Sequence, residues 1–381
     1  MKNIRRNLGL AILLVLVIAC SSCFMKEANA DKAIEEAIVP IEVTENTGIE
    51  IVDIEGRRIV LEKTAERVVD CTGLGGTRIL MQLGAEDCLV GTTDHCIKAL
   101  IGDGPNSVVF HPTRYCASDL LEKGLESIGG YNEPNVQTII SLEPDVILVG
   151  WGGRELADSL YEQTGIPTIC VGRMDGHFDY DLFEIIGKVV GAEERAEELI
   201  DYTNERLAEI TTLSSKIPEE EQKSVYFWIY PALGKAPRSN GIYDAFGYAG
   251  VTNVAKSKDD IALYETSKEQ IATWNPDYIF LQSFCKERMD GFYTNESLGE
   301  DPILQHIDAV KNERVFKLRG PCADWDTAVQ LVEVFYVAKM VYPERFEHID
   351  VEEYGNEILE KFYGVEKLYT DMRTYLDLSE L

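Results

Sequence analysis

The chain reads as an α/β protein of two lobes, and three observations carry that reading. Short apolar runs alternate with helix-forming stretches, one helix-to-strand junction occurs twice, and a long segment without Gly or Pro separates the two copies. The junction is "SLEPDVILVG" at 141–150, and it returns as "TWNPDYIFLQ" at 273–282. Across 135–150 and 267–282, Ile139 aligns with Ile271, Pro144 with Pro276, Asp145 with Asp277 and Ile147 with Ile279. Proline disfavours helical backbone at the residue before it, so in both places a helix stops and a buried strand begins. At 381 residues the chain exceeds one ordinary core, which agrees with duplicated lobes.

Taken in order, "IEIVDIEGRRIVLEK" (49–63) alternates about Glu55-Gly56 and predicts a β-hairpin. "RVVDC" (67–71) predicts a strand, "GGTRILMQLG" (75–84) a helix closed by Gly84, and "CLVGTT" (88–93) another strand. Residues 95–134, rich in Gly, Pro and Asn, read as irregular. A helix over 135–142 leads into "DVILVG", followed by helix "GRELADSLYEQTG" and strand "PTICVG". "AEERAEELIDYTNERLAEITTL" (192–213) consists of strong helix formers. Its roughly 22 residues would make a helix about 33 Å long. Leu199, Ile200, Leu207, Ile210 and Leu213 supply its apolar stripe. The alternation then restarts with strand "VYFWIY" (225–230), helix "GIYDAFGYAG" (241–250), a helix over 267–273, and strands at 277–281 and 314–318. Helices from Thr327 to about Met340 and from Val351 to Phe362 close the chain. Such alternation implies parallel sheets covered by helices on both faces. The expected organisation is an N-terminal lobe over 49–191, a linker helix over 192–213 and a C-terminal lobe over 214–381.

The first residues, "MKNIRRNLGLAILLVLVIACSSC", place basic residues before an apolar run from Leu8 to Ala19. That run, about 12 residues, is short of the ~20 needed to span a bilayer and reads as a secretory signal over 1–19. "VIAC" resembles the lipobox of bacterial lipoproteins, which implies lipidation of Cys20, with Cys23 or a plain cleavage after "ANA" (28–30) as the alternatives, and a lipid-anchored tether over 20–48. Export permits disulfides, but seven later cysteines are an odd number and none forms a C-x-x-C pair, so a zinc framework is not expected. The formal net charge of −30 argues against nucleic-acid partners, which require clustered cations.

In open α/β sheets ligands gather beyond the carboxyl ends of the strands, so the residues after each strand enumerate the candidate cleft. Aromatic residues and arginines recur there: Trp151, Arg154 and Arg173 in the first lobe, then Tyr230, Arg238, Phe284, Arg319 and Trp325 in the second. Tyr131 and Tyr264 precede the paired helices, and His95 follows a first-lobe strand. Arginine offers a planar fork to carboxylates and aromatic faces hold flat organic surfaces, so the set suits a sizeable anionic or aromatic ligand such as a metal chelate.

The hairpin, "RILMQLGAEDCLVGTTDHC", both Pro-Asp junctions, the linker helix and the closing "WDTAVQLVEVFYVAKMVYPERF" together resemble the periplasmic binding proteins that serve ABC importers of siderophores, haem and cobalamin. The resemblance runs from about Ile49 to Tyr363. It implies two Rossmann-like lobes with central parallel sheets, joined by one long rigid α-helix, with the ligand in the cleft between them. It implies a monomer anchored outside the cytoplasmic membrane, a small-molecule metal chelate as cargo, permease subunits as partners, and no resident cofactor. A carboxylate on each lobe would dock on permease arginines; Glu269 matches the second-lobe position. Gln137 stands at the first-lobe position, a departure for which Glu133 is the substitute.

A ferric siderophore leads among cargoes, followed by haem, a corrinoid, and an oxyanion such as molybdate; His95 or Tyr131 could ligate a haem iron or simply pack, and packing is the favoured reading for each. An enzyme is the main rival class, but no G-x-S-x-G, H-E-x-x-H or phosphate-cradling glycine loop occurs. "GLGG" at 73–76 lacks the full dinucleotide spacing. A bare-metal receptor would need several His and carboxylate ligands from both lobes, and the strand ends of the second lobe carry no histidine.

Overall fold

The first sheet is assembled from buried apolar runs between helices, and every pairing in it is parallel. Hairpin strands β1 (Ile49–Val52) and β2 (Arg58–Leu61) come first, followed by β3 (Val68–Cys71), β4 (Leu89–Thr92), β5 (Glu126–Ser127), β6 (Val146–Val149) and β7 (Thr168–Cys170). Their order across the sheet is β5-β4-β3-β6-β7. The second sheet, also wholly parallel, has the order β10-β8-β12-β13, with β8 at Ser224–Trp228, β10 at Thr252–Asn253, β12 at Tyr278–Gln282 and β13 at Val315–Leu318. An antiparallel pair, β9 (Arg238–Asn240) with β11 (Leu263–Glu265), stands beside it. The structure is a computed structural model and describes residues 48–102, 111–150, 153–172, 178, 180–256, 263–283, 292–320 and 326–378.

Successive strand side chains point to opposite faces, and here the two faces serve different cores. Val68, Val146, Leu148, Val225, Phe227, Tyr278 and Phe280 all belong to one continuous apolar core. Val69, Ile147 and Val149 line a separate core on the other face of the first sheet. Tyr226, Trp228, Ile279 and Leu281 do the same for the second. The shared core contains helices Asp181–Val190, Glu193–Ser214, Thr327–Val341, Val351–Tyr363 and Leu368–Leu376. One helical layer therefore backs both sheets.

Helix Glu193–Ser214 lies where the composition predicts a rod. Its inward stripe is Ala196, Leu199, Thr203, Leu207, Ile210 and Ser214, at the three- and four-residue spacing of one helix face. Ile200 and Leu213, expected in that stripe, are only half-buried. The rod is the stretch of chain that joins the two sheets, and side-chain contacts fasten the closing helix alongside it. Arg195 donates to Gln82 O at 3.3 Å in the first lobe and to Lys361 O in the closing helix at 2.5 Å. Cys116 Sγ donates to Tyr363 O at 3.3 Å. Arg206 is held by Glu209 and Glu357 over the rings of Tyr202 and Tyr354, so the closing helix is fastened along the linker.

The repeated junction has a common physical basis. Asp145 Oδ2 accepts from the N–H groups of Glu66 and Arg67, both at 2.9 Å, at the entry to β3. Asp277 Oδ2 accepts from Ser224 N and Ser224 Oγ, both at 2.9 Å, at the entry to β8. In each lobe the carboxylate ties the start of its own strand to the neighbouring strand, β3 to β6 and β8 to β12. The clamps stand at the amino ends of the strands, opposite the ends where a ligand would be met.

The segment read as irregular holds helices Asp94–Ile101 and Ser118–Glu122. Thr93 caps the first through Cys96 N at 3.2 Å, a local signal the glycines and prolines around it mask. Helix Asp181–Val190 contains Gly187, which reads as a breaker; an added Cβ there would come 3.0 Å from Ala196 Cβ, so the glycine permits close packing against the linker. The expected helix over 241–250 is confined to Asp244–Tyr248.

Candidate functional site

In the first lobe the loop after β3 is organised by Asp70, which is fully buried. Its carboxylate accepts from Thr72 N at 2.8 Å and from Thr77 N and Oγ1 at 2.7 Å each. A Cβ at Gly76 would lie 2.5 Å from Asp70 Oδ1, so only glycine admits this approach. The opening hairpin closes on the end of β7: Asp53 Oδ2 accepts from Cys170 N at 3.0 Å and from Arg57 Nη2 at 2.7 Å. Burial works to raise the Asp53 pKa, but the N–H groups of Cys170 and Arg57 and the Arg57 guanidinium outweigh it and hold the carboxyl below its ordinary range.

In the second lobe Gln282 joins the tips of three strands. Its Oε1 accepts from Tyr230 N after β8 at 3.2 Å, while its Nε2 donates to Arg319 O after β13 at 3.2 Å. The chain leaving β8 turns back so that Arg238 pairs with Ile229 and opens β9. Tyr230 adopts φ +49°, a region costly for a residue with a Cβ, and its side chain stands 46% exposed.

The tips of the two lobes meet through a buried polar joint. Asp326 caps helix Thr327–Val341 through Ala328 N at 3.1 Å. Its Oδ2 also accepts from Tyr363 OH at 2.6 Å and lies 3.6 Å from Arg78 Nε on the first-lobe helix Gly75–Gln82. Seven residues on, Glu333 accepts from Gly320 N at 2.8 Å and from the Tyr243 hydroxyl. Burial raises the Glu333 pKa, against the hydrogen bonds from Tyr243 and Gly320 and the nearby Arg319 charge. Two buried cations, Arg78 and Arg319, thus stand with two buried carboxylates, the arrangement that buried charge demands.

Of the predicted cleft residues, His95 and Tyr131 are brought together, with ring centroids 6.1 Å apart in an edge-on contact. Arg154 is exposed and 3.6 Å from Asp158, which also accepts from Arg57. Arg238 differs from both. Its Nε is buried without a hydrogen-bond partner, and no carboxylate of the described residues lies within 4.0 Å of it. Tyr264 is turned instead to Ala255 O and packs at the edge of the second-lobe core. Arg319 is buried at 1% exposure in the polar joint. Trp151, Arg173, Phe284, Trp325 and Cys20 lie outside the described residues. Gln137, Glu133 and Glu269 are exposed. Gln137 and Glu269 occupy the first turns of helices Val136–Ser141 and Lys268–Trp274, capped by Asn135 and Ser267. Each helix runs back before its strand begins, so these turns lie on the strand-tip side.

Reading the sequence alone missed Gln282, Arg78, Asp326 and Glu333. Only the run "DWDTAVQ", an acid before an apolar helix, signalled a cap at Asp326. Among the described residues no group of three or more His, Cys, Asp or Glu is placed to hold a metal ion, and none of the five described cysteines is in a disulfide. No disulfide closes the segment between Cys96 and Cys116.

The sequence profile of the periplasmic binding proteins matches residues 69–321, more than half of the chain. The chain belongs to the periplasmic binding protein family. Members of this family bind substrates for transport and are not enzymes. The binding protein is 29% identical over 208 residues to the Fe(3+)-citrate-binding protein YfmC of Bacillus subtilis, covering 53% of this chain and 60% of that protein. It is 23% identical over 312 residues to the molybdate-binding protein MolA of Haemophilus influenzae, covering 75% and 82%. A solved solute-binding protein of Sulfurospirillum deleyianum superposes with a TM-score of 0.65 at 20% identity, over 87% of this chain and 99% of that one, a likeness of fold alone.

Proposed function

We propose that this binding protein captures an anionic metal chelate, of which a ferric siderophore or ferric carboxylate is the leading class, and delivers it to the permease of an ABC importer. The observation that carries the reading is Arg238. In a protein of net charge −30, Arg238 has its Nε buried without a hydrogen-bond partner and pairs with no carboxylate among the described residues, beside an exposed tyrosine at a strand tip. A buried cation without a counter-charge is costly unless something anionic completes it. Arg154 is a second recruit, since its exposed contact with Asp158 is worth under about 1 kcal/mol and yields readily. Among the described residues the lack of a metal-ligand cluster favours cargo whose metal arrives already coordinated.

In this reading Glu269 docks on a permease subunit, with Gln137 or Glu133 as the first-lobe contact. Cys20 carries the lipid that keeps the monomer at the outer face of the cytoplasmic membrane. The test is titration of the protein with ferric citrate, a hydroxamate and a catecholate ferric siderophore, haemin, a corrinoid and molybdate, followed by tryptophan fluorescence. Saturable binding of a ferric chelate supports the proposal. Binding of molybdate, haemin or the corrinoid with no ferric chelate response overturns the cargo assignment.

A further inference from the structure

The two lobes meet at a charge that neither ligand capture nor permease docking uses. Asp326 contacts three parts of the molecule at once. The second-lobe helix places its first turn on it, with Ala328 N at 3.1 Å and Val329 N at 3.4 Å. The closing helix contributes Tyr363 OH at 2.6 Å. The first lobe contributes Gln82 Nε2 at 3.5 Å and Arg78 Nε at 3.6 Å. Arg78, Gln82 and Asp326 are each at most 3% exposed.

We propose that Asp326 is a positioning residue that fixes the register of the two lobes and so sets the width of the cleft floor. A helix cap alone needs a short acceptor and does not need a cation from another lobe. The structure supplies both. In a site sealed from water the attraction between Arg78 and Asp326 is weakly screened, and separating the lobes would break that ion pair. Tyr363 remains a donor throughout the physiological range, because burial and then the Asp326 charge push its phenol far above the ordinary value. This proposal goes beyond the transport reading, and its test requires no ligand.

Native thiols report the movement. Cys116 donates to Tyr363 O at 3.3 Å, where the first lobe meets the closing helix, whereas Cys71 and Cys170 are buried inside the first lobe. Burial pushes the Cys116 thiol up to about 12, so alkylation at pH 8 depends on opening. The experiment compares site-resolved iodoacetamide labelling of the full chain with that of D326N and R78M. Asparagine keeps the Oδ1 that caps the helix but puts an NH2 donor where Tyr363 and Arg78 face Oδ2, so D326N removes the charge and the Tyr363 acceptor and spares the cap. We expect labelling of Cys116 to accelerate about tenfold in both variants, with Cys71 and Cys170 unchanged, as local opening without global unfolding requires.

R78M separates geometry from electrostatics. It leaves the Asp326 carboxylate charged near Cys116, so electrostatics alone would not speed that thiol. Acceleration in D326N only, no acceleration in either, or equal acceleration of all three cysteines overturns the proposal. If D326N does not fold, the double variant R78M/D326N replaces it: rapid Cys116 labelling with slow Cys71 sustains the proposal, and wild-type labelling refutes it. Failure of the cargo titration leaves this result untouched.

Discussion

Replacing Arg238 with Met separates a ligand-binding guanidinium from a structural one by the sign of two effects. Methionine keeps the unbranched apolar stem and removes only the charged head. If the head meets an anionic ligand, a charge-assisted contact worth about 1.5–3 kcal/mol is lost. That weakens binding about 10- to 150-fold. The free protein should scarcely notice, because Arg238 Nε makes no hydrogen bond and no described carboxylate pairs with the head. Relief of a buried donor without a partner offsets lost packing of the stem, so the melting temperature should stay within about 2 °C of the parent. Arg206 serves as the control: it is gripped by Glu209 and Glu357 over two tyrosine rings. R206M should lose about 1 kcal/mol of stability and no affinity. Tryptophan-fluorescence titration with the tightest chelate of the panel and calorimetric melting of the same samples provide both readouts. Unchanged affinity in R238M would refute the reasoning, as would a fall in stability matching the fall in binding.

Three further outcomes follow from the packing. G320A should cost about 2–4 kcal/mol in urea unfolding, since its Cβ would lie 2.3 Å from Phe227 Cζ at a backbone φ of +65°; a loss under 1 kcal/mol would mean that the β13 turn is compliant. D145A and D277A should each cost about 1–3 kcal/mol, and the double variant their sum, because the clamps serve different sheets; strong non-additivity in urea melts would contradict that independence. The raised Glu333 pKa means that the folded state holds its proton more tightly than the unfolded state, so its contribution is full below the ordinary value of 4.5 and is lost as pH rises through the folded value. E333Q should flatten that decline. Asp53, held below its ordinary 3.8, contributes in the opposite direction: its stabilisation is present above 3.8 and disappears as pH falls through the folded value, a loss D53N should abolish. Melting curves between pH 3 and pH 8 distinguish the two slopes.

Part of this was legible because local chemistry sufficed. "VILV" and "YIFL" are apolar on both faces, which only a strand covered by helices on both sides tolerates, and they became β6 and the first four residues of β12. The rod at 193–214 declared itself by helix propensity sustained over its whole length. Helix Asp181–Val190 did not, because Gly187 is a breaker by propensity and an asset only against Ala196.

The chain order by itself determined two parallel sheets, the duplicated Pro-Asp entry and the helix between them, since strand period, proline sterics and helix propensity act over neighbouring residues. Only the tertiary structure decided how those parts share one core and which charged groups stay available to a ligand. Arg238, Arg319 and Arg78 are indistinguishable as letters. Burial gave Arg78 a carboxylate partner 248 residues away in Asp326 and set Arg319 near Glu333, while Arg238 received none among the described residues. Pairing of buried charge depends on distances in space, and sequence separation does not encode them.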